Sequence, residues 1–278
     1  MSVSTTIQPP VSPDFAAIKQ RQQKIWSSGD YAAVGATLQL MSELLCEAVD
    51  LRAGQRVLDV ATGSGNAALA AARRFGEVTG IDYVPALLDR ARERAQAERL
   101  AATFAPGDAE ALPYPDASFD VVLSVVGVMF APNQEQAARE LLRVCQPGGT
   151  IGLANWTPDG FVGTMLRTVG RYVPPSAGLQ SPSRWGDEAR LRELFGNDIA
   201  TLDIIQRGHN FRYRSPEHFV EFFFTHYGPT ERAFAAIDAA NQAQFTRDLT
   251  DIARRFNRAE DGSLVAPSDY LEVVAVKR

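Results

Sequence analysis

The segment Val57-Leu58-Asp59-Val60-Ala61-Thr62-Gly63-Ser64-Gly65-Asn66 determines the fold class of this chain. Its first part is a short β-type run, and the alanine-rich stretch that begins at Asn66 has the composition of a helix. Gly63 and Gly65 lack side chains, so the backbone there can adopt a positive φ and a ligand can approach it closely. The helix presents free N–H groups and the positive end of its dipole to this turn. The segment therefore predicts a ligand site between a strand and a helix.

Further strands and helices alternate along the chain on both sides of this segment. The predicted strands are Arg56–Val60, Glu77–Ile81, Thr103–Ala105, Phe119–Val125, Thr150–Trp156, Ala200–Arg207 and Tyr270–Lys277. This rhythm predicts an α/β, Rossmann-like, mostly parallel sheet with helices on both faces. We expect a single domain over residues 15–278, with a helical cap insertion at about 209–258 and a disordered tail over residues 1–14.

A second motif, Gly80-Ile81-Asp82-Tyr83, ends the second predicted strand. Asp82 stands 19 positions after Gly63, where a carboxylate can accept hydrogen bonds from both hydroxyls of a ribose. The segment Gly63–Ala68 also satisfies the G-x-G-x-x-G/A fingerprint of dinucleotide-binding proteins. These motifs therefore indicate a nucleoside ligand without choosing between NAD and another cofactor, and Asp82 as a simple helix-initiating acid is the structural alternative.

A third motif favours one ligand over the other. Gly107-Asp108-Ala109-Glu110-Ala111-Leu112-Pro113 follows the third strand, and Ser118-Phe119-Asp120-Val121-Val122 leads into the fourth. An acid after the third strand can accept a hydrogen bond from the exocyclic amine of adenine, while the next backbone N–H meets a ring nitrogen. With Leu141-Leu142-Arg143-Val144 and Pro147-Gly148-Gly149, the stretch Arg56–Trp156 resembles the class I S-adenosylmethionine-dependent methyltransferases. It is most similar to their branch of quinone- and sterol-modifying C-methyltransferases.

The resemblance implies a strand order of 3-2-1-4-5-7-6 with the last strand antiparallel, and S-adenosylmethionine as the cofactor. It assigns Asp59, Thr62, Gly63 and Gly65 to the methionine end of that cofactor. It assigns Asp82 to the ribose and Tyr83 to a position beside the adenine. Asp108 and the Ala109 amide would contact the adenine edge, and Ser124 and Val125 would lie beside the sulfonium.

The methyl acceptor is expected to be a small, hydrophobic or aromatic molecule, because aromatic residues crowd the predicted cap. The expected acceptor-site residues are Met129, Phe130, Trp156, Phe223 and Tyr227. His218 and His226 are candidate catalytic bases because, with Phe222, they follow the i, i+4, i+8 spacing of one helix face. Histidines paired with backbone or solvent are the structural alternative. The sequence shows no cluster of metal ligands and leaves the oligomeric state open.

Composition narrows the class of protein. The chain has 278 residues, a formal net charge of -5 and an isoelectric point of about 5.3, so a nucleic-acid partner is not expected. No Asp/Asn-Pro-Pro-aromatic tetrapeptide of the DNA-base methyltransferases is present. With no signal peptide and no membrane-spanning run, we expect a cytoplasmic enzyme. An NAD(P)-dependent oxidoreductase, or the same fold in a non-methylating cyclase or binding module, are the alternative functions.

Overall fold

A computed structural model describes residues 13–278. The tail predicted over residues 1–14 therefore lies outside the described residues, except for Pro13 and Asp14. The first helix, α1 (Phe15–Trp26), begins directly after Asp14, whose carboxylate accepts a hydrogen bond from the Ala17 N–H and caps the helix. This cap fixes where the helix starts.

Seven strands build the core. They are β1 (Arg56–Val60), β2 (Glu77–Asp82), β3 (Ala102–Pro106), β4 (Phe119–Val125), β5 (Cys145–Trp156), β6 (Ile199–Tyr213) and β7 (Leu264–Lys277). The helices after α1 are α2 (Tyr31–Ala36), α3 (Gln39–Ala48), α4 (Asn66–Arg73), α5 (Pro85–Glu98), α6 (Gln134–Val144), α7 (Phe161–Tyr172), α8 (Glu188–Phe195), α9 (Pro216–His226), α10 (Gly228–Ala235) and α11 (Ala239–Phe256). Within residues 13–278, every helix is too short or too polar to cross a membrane.

The strands form one sheet in the order β3-β2-β1-β4-β5-β7-β6, which confirms the predicted topology. The first five strands are parallel, and β7 runs antiparallel to both β5 and β6. Parallel strands buried on both faces need apolar side chains in both directions. In β1, Val57, Leu58 and Val60 are all fully buried. Arg56 at the start of the strand is exposed, whereas the polar Asp59 is buried and belongs to the site described below.

The register brings the ends of the parallel strands to one edge of the sheet. Asp59 of β1 is paired with Gly80 of β2 and with Leu123 of β4, so the residues that follow these strands emerge side by side. In a parallel sheet with crossover helices, this carboxyl edge is where ligands bind. The topology therefore brings the loops after β1, β2, β3 and β4 together.

The last two strands are longer than the sequence pattern predicts. β6 continues to Tyr213, and β7 begins at Leu264, because the two strands pair as a long antiparallel ribbon. Residues 209–213, assigned to the start of the cap by the sequence, lie in this ribbon, and the helices that follow it begin at Pro216. β5 is also longer than predicted, because it starts at Cys145. Phe119 of β4 pairs with Cys145 and Val121 pairs with Thr150, so the register shifts where β5 passes through Pro147 and the two glycines that follow it.

Candidate functional site

A cavity lies at the carboxyl edge of β1 to β4 and contains about 910 Å³ of empty space, part of it open to solvent. Its walls come from α1 and α2, from the loops after the four strands and from the first residues of α4 and α5. Clefts at this edge of a parallel sheet are where small molecules and cofactors bind. The cavity is lined by backbone turns, by carboxylates and by aromatic rings, and these are described in this order below.

The glycine turn after β1 forms the floor of the cavity. Gly63 has a φ of 55°, and a Cβ atom at this position would lie 3.4 Å from the Tyr31 ring. The missing side chain therefore leaves space between the turn and the aromatic ring above it. Gly65, with a φ of 87°, faces away from the cavity, since its Cβ would lie 3.1 Å from the Cβ of Ala91 in α5. The first glycine shapes the cavity and the second permits close helix packing.

Asp59 holds this turn from below. Its Oδ2 accepts hydrogen bonds from the Thr62 hydroxyl at 2.5 Å and from the Ala68 N–H at 2.9 Å. The side chain is almost fully buried. Burial raises the pKa of Asp59 to about 7, against the opposing effect of the two hydrogen bonds, and the negative charge of Asp82 adds to the increase. Asp59 thus ties the end of β1 to the first turn of α4.

Asp82 lies at the end of β2 and also lines the cavity. Its Oδ2 accepts the Gly63 N–H and its Oδ1 accepts the Val84 N–H, both at 2.9 Å. Burial raises the pKa of Asp82 to about 6, although these backbone hydrogen bonds act in the opposite direction. Each carboxylate oxygen has a second lone pair, so Asp82 can still accept hydrogen bonds from a ligand.

Asp108, after β3, forms the third carboxylate of the cavity. Its Oδ2 lies 2.5 Å from the Lys19 ammonium, and its Oδ1 accepts the Glu110 N–H at 2.9 Å. Lys19 also lies 3.0 Å from the carboxylate of Glu110, whose side chain is almost fully buried. Burial lowers the pKa of Lys19, but the hydrogen bonds to Asp108 and Glu110 outweigh it, so the net pKa is raised. This end of the cavity therefore contains a lysine bridging two acids.

Aromatic rings form the opposite wall. Trp26 meets Tyr31 and Phe130 edge-on, with ring centroids 5.6 and 5.0 Å apart, and all three residues line the cavity. Tyr227 packs behind them, 5.5 Å from Trp26. Burial raises the pKa of Tyr31 to about 12, with a contribution from the negative charge of Asp82, so its phenol stays protonated. We call Trp26, Tyr31 and Phe130 the aromatic wall.

Comparison with known proteins shows which family the chain belongs to. A family model described as "Methyltransferase domain" matches residues 58–153. An uncharacterized protein of Mycobacterium tuberculosis is 38% identical over 98% of this chain and 100% of its own length. A demethylmenaquinone methyltransferase of Thermus thermophilus is 34% identical over 53% of this chain and 74% of its own length. The chain belongs to the class I S-adenosylmethionine-dependent methyltransferases. The phosphoethanolamine N-methyltransferase 2 of Haemonchus contortus, solved with S-adenosyl-L-methionine, shares the fold at 19% identity, with a TM-score of 0.53 over 85% of this chain and 52% of that one.

The cofactor of this methyltransferase is S-adenosylmethionine, and the cavity has the chemistry to hold it. The space above Gly63 admits a ligand to the backbone of the turn. Asp82 and Asp108 offer acceptor oxygens on one side, and the aromatic wall offers apolar surface on the other. A ligand that carries ribose hydroxyls, an exocyclic amine and a planar ring system matches this distribution.

Most of the cofactor residues predicted for this methyltransferase line the cavity. They are Asp59, Thr62, Gly63, Asp82, Tyr83, Asp108, Ala109 and Val125. The other two, Gly65 and Ser124, do not line it. The buried Ser124 hydroxyl donates to the Val60 carbonyl at 2.7 Å and accepts the Val128 N–H at 2.9 Å, so it supports the wall from behind.

The predicted acceptor residues are more dispersed. Phe130 lines the cavity, whereas Met129, Trp156, Phe223 and Tyr227 are buried outside it. Trp156 of β5, for example, packs against His209 and Phe211 of β6 and against Tyr270 of β7. In this structure, the aromatic surface that faces the cofactor cavity comes mainly from the N-terminal helices instead of the cap.

The two candidate catalytic histidines lie on α9 and do not line the cavity. The Nδ1 atom of His218 accepts the Arg214 N–H at 3.2 Å. The His226 ring packs on Phe222 with centroids 4.5 Å apart, and its backbone carbonyl accepts the Asp30 N–H. Both residues therefore contribute to the local structure around the ends of α9.

Sequence reasoning missed the contribution of α1 to the site. Lys19, Gln22 and Trp26 all line the cavity, and their spacing of three and four positions places them on one face of the helix. That face is polar apart from Trp26, so it lacks the apolar stripe that usually indicates a buried surface. The segment Trp26-Ser27-Ser28-Gly29-Asp30-Tyr31 also resembles the family, more weakly than Arg56–Trp156 does, and this is the signal in the sequence that points to the region.

Proposed function

We propose that this methyltransferase transfers the methyl group of S-adenosylmethionine to a small, hydrophobic or aromatic acceptor that packs against the aromatic wall. The observation that carries the proposal is the joint lining of one cavity by the three carboxylates and by Trp26, Tyr31 and Phe130. Aromatic rings in mutual edge contact bind planar apolar molecules through large contact areas and favourable ring geometry. The relative from Thermus thermophilus supports this class, since the substrate in its name, demethylmenaquinone, is a planar quinone.

In this proposal the cofactor lies along the carboxyl edge of the sheet. Asp82 accepts the ribose hydroxyls, and Tyr83 lies beside the adenine. Asp108 accepts the adenine amine, and the Ala109 N–H meets a ring nitrogen. The methionine end rests on the turn that includes Thr62 and Gly63. The hydrogen bonds from Gly63 and Val84 to Asp82 support this assignment, because they hold the carboxylate at the cavity wall.

When bound, S-adenosylmethionine supplies a methyl group that is already activated by the sulfonium. The protein then has to bind, orient and exclude water. Orientation of two reactants can supply about 7–11 kcal/mol of the barrier reduction. In this site Trp26 and Phe130 would orient the acceptor, and α1 would cover the reacting atoms. Met129, Trp156, Phe223 and Tyr227 would act from behind this surface, through packing.

His218 and His226 stay candidate bases on the strength of the sequence pattern. If either is the base, its replacement by Gln lowers turnover about 10²–10⁴-fold and leaves cofactor affinity unchanged. Unchanged turnover in both variants would remove the hypothesis. An acceptor that is nucleophilic without a side-chain base would then fit this site better.

The proposal is tested by transfer of radiolabelled methyl from S-adenosylmethionine to three acceptor classes. These are a demethylated naphthoquinol, an aliphatic amine and a DNA duplex. We expect label in the quinol fraction alone. Label only in the amine or the DNA would overturn the acceptor class. Binding of NAD in preference to S-adenosylhomocysteine would favour an oxidoreductase, and cofactor binding without transfer to any acceptor would favour a cyclase or binding module.

A further inference from the structure

Helix α1 crosses the mouth of the cofactor cavity and bonds to three of the loops that form it. Lys19 bridges Asp108 and Glu110 after β3. Gln23 donates to the Tyr83 carbonyl after β2, and Gln22 donates to the Phe130 carbonyl after β4. The helix therefore couples the three loops to one another.

The hydrogen bonds and ion pairs of α1 to these loops distinguish it from the helices that pack on the sheet. Its apolar contacts include those of Trp26 at its end, which packs on Tyr31 and Phe130. Ile18 is the one buried residue of the helix within its described length. A helix held by an apolar face is costly to detach, whereas hydrogen bonds and ion pairs at the surface exchange readily with water. Because Lys19, Gln22 and Trp26 line the cavity, a ligand inside it lies beneath this helix.

Lys19 makes the only ionic contacts between α1 and the rest of the described chain. Its ammonium has three N–H donors, of which Asp108 and Glu110 take two. Glu110 is in turn fixed, because its other carboxylate oxygen accepts the Asn133 N–H at 2.7 Å. Asp108 is fixed through the Glu110 N–H, so the lysine binds two acids whose positions are already set.

We propose that Lys19 is a positioning residue of the cofactor site: it orients the Asp108 carboxylate for the adenine and latches α1 over the bound cofactor. This inference rests on the proposed binding mode. The latch keeps the cofactor in place, so its main effect is on the rate at which the cofactor leaves. Asp108 keeps lone pairs for the adenine amine while it accepts Lys19, so the lysine and the adenine bind the same acid together.

The test is stopped-flow fluorescence with S-adenosylhomocysteine on the full chain. Trp26 reports on the cavity, while the other tryptophans, Trp156 and Trp185, are buried elsewhere. We expect Lys19→Ala to raise the dissociation rate about tenfold, which corresponds to loss of one charge-assisted contact. The exposed Lys24 of the same helix is the matched control, and Lys24→Ala should dissociate at the wild-type rate.

Two further readouts separate a latch from general support of the fold. In the wild type, salt should accelerate dissociation because Lys19 is partly exposed, and in Lys19→Ala this salt effect should disappear. Lys19→Arg should restore slow dissociation. The hydrogen-exchange rate of the backbone amides in residues 15–26 should fall about tenfold when S-adenosylhomocysteine binds, while the exchange rate in α11 should stay unchanged.

The outcomes distinguish the latch from the cofactor assignment. If the wild type binds S-adenosylhomocysteine and Lys19→Ala dissociates at the same rate, the latch is overturned and the cofactor site stands. Unchanged exchange in residues 15–26 overturns it independently, even if the alanine variant does not fold. If the wild type binds no S-adenosylhomocysteine, the proposed function and the latch both fall.

Discussion

Asp82 accepts the backbone N–H of Gly63 across 2.9 Å, so the acid at the end of β2 holds the glycine turn that follows β1. One side chain thus joins two of the loops that form the cofactor cavity. Its other oxygen accepts the Val84 N–H and orders the start of α5. The geometry of the turn and the presence of the carboxylate in the cavity are therefore consequences of the same hydrogen bonds.

The first prediction concerns this acid. Asp82→Asn should weaken S-adenosylhomocysteine binding at least about tenfold, because an amide replaces an acceptor oxygen with a donor that faces a backbone N–H. It should also lower the free energy of unfolding by about 1–3 kcal/mol. Calorimetric titration and chemical denaturation measure the two effects. The exposed Asp203 of β6 provides the control, and Asp203→Asn should change neither quantity.

The second prediction separates backbone strain from space for the ligand. Gly63 and Gly54 both have positive φ, at 55° and 81°, so an alanine at either position costs about 1 kcal/mol. A Cβ at Gly54 meets nothing within 4 Å, whereas one at Gly63 projects toward Tyr31 across the cavity. We expect similar losses of melting temperature in Gly63→Ala and Gly54→Ala, but loss of cofactor affinity only in the first. Equal affinities would show that the ligand does not approach this turn.

The third prediction is a pH dependence. Burial raises the pKa of Asp59 to about 7 and that of Asp82 to about 6, whereas the ordinary pKa of an aspartate is 3.8. The folded state therefore binds more protons than the unfolded state between about pH 4 and pH 7, and the free energy of unfolding should fall as pH rises through this window. Above about pH 7 the contribution of these two groups should be constant.

The affinity for S-adenosylmethionine should change with pH in the opposite direction and increase as the pH rises. A sulfonium carries positive charge, so it favours the ionised carboxylates, and binding of S-adenosylmethionine at about pH 6.5 should release protons. Calorimetry in buffers of different ionisation enthalpy measures this release. The release should shrink in Asp82→Asn, and proton uptake by the wild type would contradict the prediction.

The fourth prediction concerns the aromatic wall. Trp26→Ala should raise the KM for a planar acceptor about tenfold, because edge contacts with Tyr31 and Phe130 are lost together with contact area for the acceptor. The kcat with saturating acceptor should change less. Steady-state kinetics measure both constants. Phe75 is 79% exposed and remote from the cavity lining, so Phe75→Ala should leave the KM unchanged.

Much of the fold could be predicted from the sequence because its central elements carry strong local patterns. The bounds of β1 and β4 agree with the predicted ranges Arg56–Val60 and Phe119–Val125. Asn133 is a residue type that favours helix caps, and its side chain accepts the Gln136 N–H at the start of α6. Continuous apolar runs and cap residues act over a few positions, so a single sequence is sufficient to locate them.

The features that were missed depend on contacts between distant positions. Lys19 and Asp108 are 89 positions apart, and nothing in the polar pattern of α1 indicates which residues it faces. The extension of β6 to Tyr213 depends on pairing with β7, which the local sequence of either strand does not specify. The aromatic residues of the cap were expected to line the acceptor site, but Phe223 packs instead on its neighbours in the cap and the sheet.

The cavity is assembled from two parts of the chain. The residues proposed to hold the cofactor lie within residues 58–153, the block shared with the methyltransferase domain family. Trp26 and Tyr31 come from outside that block. Under the proposed function, substitutions in this short helical stretch would alter the preferred acceptor while the residues of the shared block stay the same. A sequence survey confined to the shared block would then overlook the residues proposed to select the acceptor.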